Sequence, residues 1–261
     1  MPVGICKLCR RSNVTLCLSH YLPKAAFCAV REIGSARPVI IKNGISIQKD
    51  DQITAHMLCR ECEERFSKNG ETWMLEYANR ADGFKLYDLV MTVKPEINQN
   101  GLGMYNAASV EEIDAAKITY FISSILWRGS VHQWRWGKDI VDSPSLGKYE
   151  EEFRRYLLGI SDFPRNAVVM VALISNPEWR GSVDIPNRKR LQDGVYGFKT
   201  TMLGVAFNVF IGNSINPATR NLCFYRSAQK YIFAGPMNDT WLVRGYYPTL
   251  AMARVIGKRE T

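Results

Sequence analysis

The stretch "LCRECEERFS", residues 58–67, decides how the first third of this chain folds. Its Cys59 and Cys62 form a Cys-x-x-Cys pair, and "CKLC" supplies a matching pair at Cys6 and Cys9. Each pair turns tightly enough to aim both sulfurs at one ion, so together they predict a tetrahedral thiolate site for structural zinc. Buried free thiols or a redox pair is the alternative, and two matched pairs within one short region favour zinc over it. The separation is unusual. Forty-nine residues lie between Cys9 and Cys59, against the roughly 12–20 of compact zinc fingers and ribbons. The ion must then clamp the base of a long excursion, standing in for a core that so small a unit could barely build. Cys17 and Cys28, left over from the pairs, read as small apolar packing residues.

Six of the seven cysteines and two of the three histidines fall in the first 80 or so of 261 residues. That asymmetry predicts a zinc-binding domain over 1–94 and a second domain over 95–261. A linker is expected at "KPEINQNGLGMYNAAS", residues 94–109, where Pro, Gly and Asn interrupt every period. Beyond it, "SVEEIDAAKITYFISSILW" predicts a helix. Ser109 and Glu112 form a capping box, and Ile118, Phe121, Ile122, Ile125 and Leu126 recur at helical spacing. "SPSLGKYEEEFRRYLLG" predicts a second helix capped by Ser143, with Leu146, Tyr149, Phe153, Tyr156 and Leu157 on one face. From Ala167 onward the runs "AVVMVALIS", "MLGVAFNVFIG", "LCFYRS", "KYIFAG" and "TWLVRG" alternate with Gly, Asn, Pro and Ser clusters, as antiparallel strands do. The expected class is α+β: a small zinc-stabilised unit, then helices, then an antiparallel sheet.

Apolar residues make up 46% of the chain and charged residues 23%, which predicts folded structure nearly throughout. The net charge of +9 would attract polyanions such as nucleic acid, although Lys and Arg are spread along the chain. No window is apolar over the ~18 residues a membrane span needs, and the N-terminus lacks a secretory pattern. A cytoplasmic protein with reduced or metal-bound thiols is expected.

Between the cysteine pairs lies "SHYLP", residues 19–23. A Cys-x-x-Cys pair, a small polar residue followed by His, two apolar positions and Pro, then a second pair opening a helix: this order resembles the zinc-stapled HNH endonuclease family. The resemblance covers about 70 residues and implies a ββα-metal finger. It aligns His20 with the general base that activates water, Ser19 with the neighbouring metal ligand, and Glu63 with the final ligand on the helix. Thr54, or His56 nearby, falls at the family's middle Asn. It also implies a catalytic Mg²⁺ or Mn²⁺, DNA as substrate, and a setting such as restriction, genome packaging or antiviral defence. Imidazole suits such chemistry, because phosphodiester hydrolysis needs a base that works near neutral pH. A catalytically inactive zinc finger used for DNA binding or assembly with a partner protein is the other expectation.

In the second domain, "WRGSVHQWRWGK", residues 127–138, interleaves indoles with cations. Arg128, Trp134, Arg135 and Lys138 are candidates for contact with nucleic acid, by stacking on bases and neutralising phosphates. The competing reading puts the tryptophans in the core. No Gly-rich phosphate loop, catalytic triad order or dinucleotide fingerprint is present there.

Overall fold

The computed structural model describes residues 1–34, 39–42, 45–48, 52–99, 101–141, 143–236 and 254–255. The chain begins with β1 (Val3–Gly4) and β2 (Val14–His20), then helix α1 (Lys24–Gly34) and the hairpin β3 (Val39–Lys42) and β4 (Ile45–Gln48). β5 (Thr54–Cys59) returns antiparallel to β2 and runs directly into α2 (Arg60–Phe66). The 49-residue gap between cysteine pairs is thus filled by a helix and a hairpin, while its two ends are hydrogen-bonded as neighbouring strands.

Helix α2 continues through one wide π turn, Ser67–Glu71, into α3 (Thr72–Tyr77). The short pair β6 (Asn79–Arg80) and β7 (Gly83–Phe84) and helix α4 (Lys85–Met91) follow. Then come β8 (Ile97–Gln99) and β9 (Leu102–Asn106), which lie inside the segment expected to be a linker. Gly101 sits between them at φ 79°, a backbone that glycine adopts without strain. The turn residues therefore mark a tight hairpin. Helix α5 (Ala115–Val131) is capped by Asp114, whose carboxylate accepts from the Lys117 N–H. The expected capping box at Ser109 instead closes a 3₁₀ turn at Ala107–Ser109. After the short β10 (Arg135–Trp136) and β11 (Asp139–Ile140), helix α6 (Glu150–Leu157) begins seven residues later than Ser143. The expected apolar faces of α5 and α6 are both buried.

The rest supplies β12 (Ala167–Ile174), β13 (Asn187–Arg190), β14 (Tyr196–Met202), β15 (Val205–Ile211) and, after α7 (Pro217–Asn221), β16 (Tyr231–Gly235), which join β8 and β9 in a seven-stranded sheet. Its order is β13-β14-β15-β12-β16-β9-β8. β12 pairs parallel with β16, so the sheet is mixed where an antiparallel one was expected. The reason is that β15 ends beside the start of β12 and the connection through α7 steps past β12 to its other edge, so β16 runs antiparallel to β15 and parallel to β12. "LCFYRS" is not a strand: Cys223 and Phe224 are buried in the turns after α7. "TWLVRG" lies outside the described residues.

One apolar core runs from Cys6 and Leu8 through Phe66 and Trp127 to Phe207 and Phe224, crossing residue 94 without interruption. The boundary expected at 94/95 therefore does not separate two cores. Its seam is built for close approach. A Cβ on Gly70 would stand 2.8 Å from the backbone nitrogen of Phe121, so only glycine lets the π turn rest on α5. Tyr21 stacks on Trp134 with ring centroids 5.0 Å apart, and Phe66 meets Trp127 edge-on at 6.0 Å.

Candidate functional site

Two sites lie within one turn of helix of each other. The first is the cysteine cluster. The Sγ atoms of Cys6, Cys9, Cys59 and Cys62 all lie within 4.8 Å of one another, and Cys9 and Cys59 are 3.9 Å apart. A tetrahedral ion with bonds of about 2.3 Å to sulfur places its ligands about 3.8 Å apart, so the four thiols fit zinc. The backbone N–H of Cys59 donates to the Cys6 sulfur at 3.3 Å, and Arg11 approaches Cys59 at 3.4 Å and Cys9 at 3.5 Å. Hydrogen bonds from Cys62 and from the Cys59 backbone pull the Cys6 thiol down to about 4. The shared hydrogen bond with Cys6, and burial, push Cys62 up, while burial raises Cys59. Four sulfurs this close cannot all ionise against one another; a divalent ion supplies the charge that would let them. Among the described residues this is the one set of three or more His, Cys, Asp or Glu side chains close enough to share an ion.

The second is a cavity of about 500 Å³ lined by residues that include His20, Lys24, Glu63, Ser67, Glu71 and Arg128. Strand β2 delivers His20 as its last residue, opposite Thr54 of β5. A register shift between Cys17 and Leu18 kinks the ladder, and such irregularities re-aim side chains. Beyond it Ser19 points inward, 1% exposed, and Leu18 outward, 51% exposed. From the other side, Glu63, Ser67 and Glu71 recur every four residues along α2 and the π turn, and all three line the cavity. π turns widen a helix and often accompany functional sites.

Electrostatically the cavity is mixed. Burial lowers the His20 pKa, and Lys24 and Arg128 push it the same way against Glu71, so the surroundings favour the neutral imidazole. Burial raises the Glu63 carboxyl, and Arg128 and the Ser19 hydroxyl pull it partly back. Ser19 Oγ donates to Glu63 Oε1. His56, the other histidine between the cysteine pairs, points its Nδ1 at the Leu16 carbonyl at 3.1 Å.

Among the residues expected to meet nucleic acid, Trp134 is fully buried and its Nε1 donates to the Arg128 carbonyl at 2.9 Å. Its indole is a core residue and offers no stacking surface. Arg128 is 2% exposed and paired with Glu71 at 2.5 Å, so it cannot belong to an open cationic groove; it reaches the His20 cavity from inside. Arg135 and Lys138 are exposed. The structure thus brings together His20, Ser19 and Glu63, and adds Glu71 and Arg128. The four-residue repeat Glu63, Ser67, Glu71 was the available sign of a shared helical face. Arg128 was expected to meet phosphate from the indole–cation run, but its place beside His20, 108 positions earlier, had no local sign. Searches against family models, curated proteins and solved structures find no match to this chain.

Proposed function

We propose that the chain is a zinc-stapled, HNH-like endonuclease that hydrolyses DNA phosphodiester bonds with His20 as general base. The observation that carries this reading is His20 at the end of a strand, facing Glu63 on the helix that leaves the cysteine cluster, across one 500 Å³ cavity. A scissile phosphate seated there would have water activated by a neutral imidazole. The proton passes to His20 as the water oxygen bonds to phosphorus; the bond from phosphorus to the leaving sugar oxygen breaks, and that oxygen takes a proton from solvent. The strand pair and following helix match the order of elements that the family resemblance implies.

The same resemblance includes a Mg²⁺ or Mn²⁺ ion, which when bound would stabilise charge on the leaving oxygen. The residues present do not make a closed site for it. Glu63 is a single carboxylate held by Ser19, Glu71 is paired with Arg128, and no third hard ligand converges on them among the described residues. That departure favours a second reading, a finger without cleavage activity that serves DNA binding or assembly with a partner protein.

The two readings separate on one substitution. His20→Ala is expected to leave zinc content and thermal stability nearly intact while cleavage of single- or double-stranded DNA, assayed with Mg²⁺ and Mn²⁺, falls by about two to four orders of magnitude. Absence of cleavage by the unaltered protein under all these conditions, or a destabilised His20→Ala with DNA affinity unchanged, supports the second reading.

A further inference from the structure

We propose that Arg128, from the long helix α5, is the phosphate-binding group of the His20 cavity, so that the finger's site is completed by a residue 62 positions beyond its last helical residue Phe66. The proposal rests on the endonuclease reading for its substrate, a phosphodiester, but the anion site it describes can be tested without cleavage.

A buried guanidinium is costly unless its charge and its donors are met. Arg128 is 2% exposed, yet one terminal nitrogen is held by Glu71 at 2.5 Å while its Nε is buried without a partner among the described residues. The aromatic face of Phe66 lies beneath it, 4.6 Å from the guanidinium carbon, which fixes the plane of the fork. Glu71 itself is partly open, 17% exposed at the side chain. This is an arginine held in orientation with bonding capacity left over, on the wall of a cavity that also contains Lys24 and His20.

Another cavity shows what a purely structural arginine looks like in this protein. There, Arg220 donates to the carbonyls of Ile215, Arg165 and Asn213, and Arg226 to those of Phe163, Pro164, Arg165 and Ala167. Those forks are occupied by backbone. Among the described residues Arg128 makes no such bonds, and its acid partner Glu71 comes from the π turn that continues α2. A phosphate oxygen entering beside His20 would share the guanidinium with Glu71, in the paired geometry arginine favours for phosphate.

The test measures binding of inorganic phosphate and of thymidine 5′-monophosphate to the full-length, zinc-loaded protein by calorimetry. Arg128→Gln is expected to weaken both by about tenfold or more, and Arg128→Lys to retain part of the binding. Glu71→Gln, which keeps the shape but frees the guanidinium of its competing carboxylate, is expected to tighten both several-fold. Opposite signs for the two partners of one ion pair are the signature. If the pair is only a brace, both substitutions lower thermal stability and neither moves phosphate affinity, which overturns the proposal; so does a wild-type protein that binds neither probe at millimolar concentration. Should Arg128→Gln fail to fold, an unchanged or weakened affinity in Glu71→Gln is sufficient to overturn it. Phosphate affinity that shifts as expected in a protein that never cleaves DNA upholds the anion site and removes only the nuclease reading. Cleavage that persists in Arg128→Gln alongside unchanged phosphate affinity does the reverse.

Discussion

The finger and the sheet of this protein reach order by different routes. In the sheet, all eight residues of β12 are buried, and its neighbour β15 is buried at six of seven positions; apolar area and a continuous ladder hold it together. The finger pairs β2 with β5 over a few residues and leaves Val3, Ile5 and Leu18 more than half exposed. What it has instead is four thiols within reach of one ion at the point where its strands and helix meet. An ion held there would add a cross-link to what packing supplies, beside buried residues such as Leu8, Met57, Leu58 and Phe66 that join the shared core.

The two regions are not independent. Beyond the shared core, Arg154 of α6 donates to the Leu8 carbonyl at 2.7 Å, and Glu151 bonds both Arg154 and Arg10 of the first knuckle. The contrast can be broken most directly at the cysteines. Purified protein is expected to carry about one zinc per chain, and Cys59→Ser to unfold residues of the finger, because structural zinc contributes on the order of 10 kcal/mol to such units. Amide exchange should then show lost protection in β2, β5 and α2 with β12 and β15 still protected. A zinc-free protein with an intact finger, or one in which the sheet melts together with the finger, would erase the distinction.

The complementary change sits in the sheet. Phe207 is 1% exposed and meets Phe121 of α5 at 5.9 Å between centroids. Phe207→Ala is expected to cost about 3–5 kcal/mol, read by denaturant unfolding, with zinc content unchanged. Loss of zinc in that variant would mean that the sheet organises the knuckles.

The smallest expected effect concerns the strap between them. Hydrogen bonding from Arg154, with its charge and that of Arg10, holds the Glu151 carboxyl down at about 2. A depressed folded-state pKa adds stability above the ordinary carboxylate range, near 4.5, and loses it as pH falls toward 2. Since Glu151 is 46% exposed at the side chain, solvent screening keeps the effect to about 1 kcal/mol or less. Glu151→Gln should therefore lower stability slightly at pH 7 and by much less at pH 2. An effect of several kcal/mol would show that the strap, more than the core, joins the two regions.

How far each feature was legible follows from the range of the interaction behind it. Helical spacing at Ile118, Phe121 and Ile125 reports a face within a few turns, and the buried faces of α5 and α6 agree with it. Helix starts depend on which nearby polar group captures the first free N–H groups, and Asp114 does so in place of Ser109. Gly and Asn at 94–109 were signs of a turn but not of what the turn connects. "LCFYRS" has strand composition, but its apolar residues are buried by turns after α7.

By itself, the sequence determined the two cysteine knuckles, the α+β class, the faces of the main helices and the placement of His20 between the knuckles. Each depends on spacing over a few residues, where backbone geometry leaves little choice. Tertiary structure decided what long-range packing alone can decide. It made the sheet mixed, ran one apolar core across residue 94, turned Trp134 inward, and carried Arg128 to the wall of the His20 cavity. No local pattern announces a partner 57 residues away, such as Glu71 for Arg128; only the docking of α5 against Gly70 and Phe66 brings the two charges together.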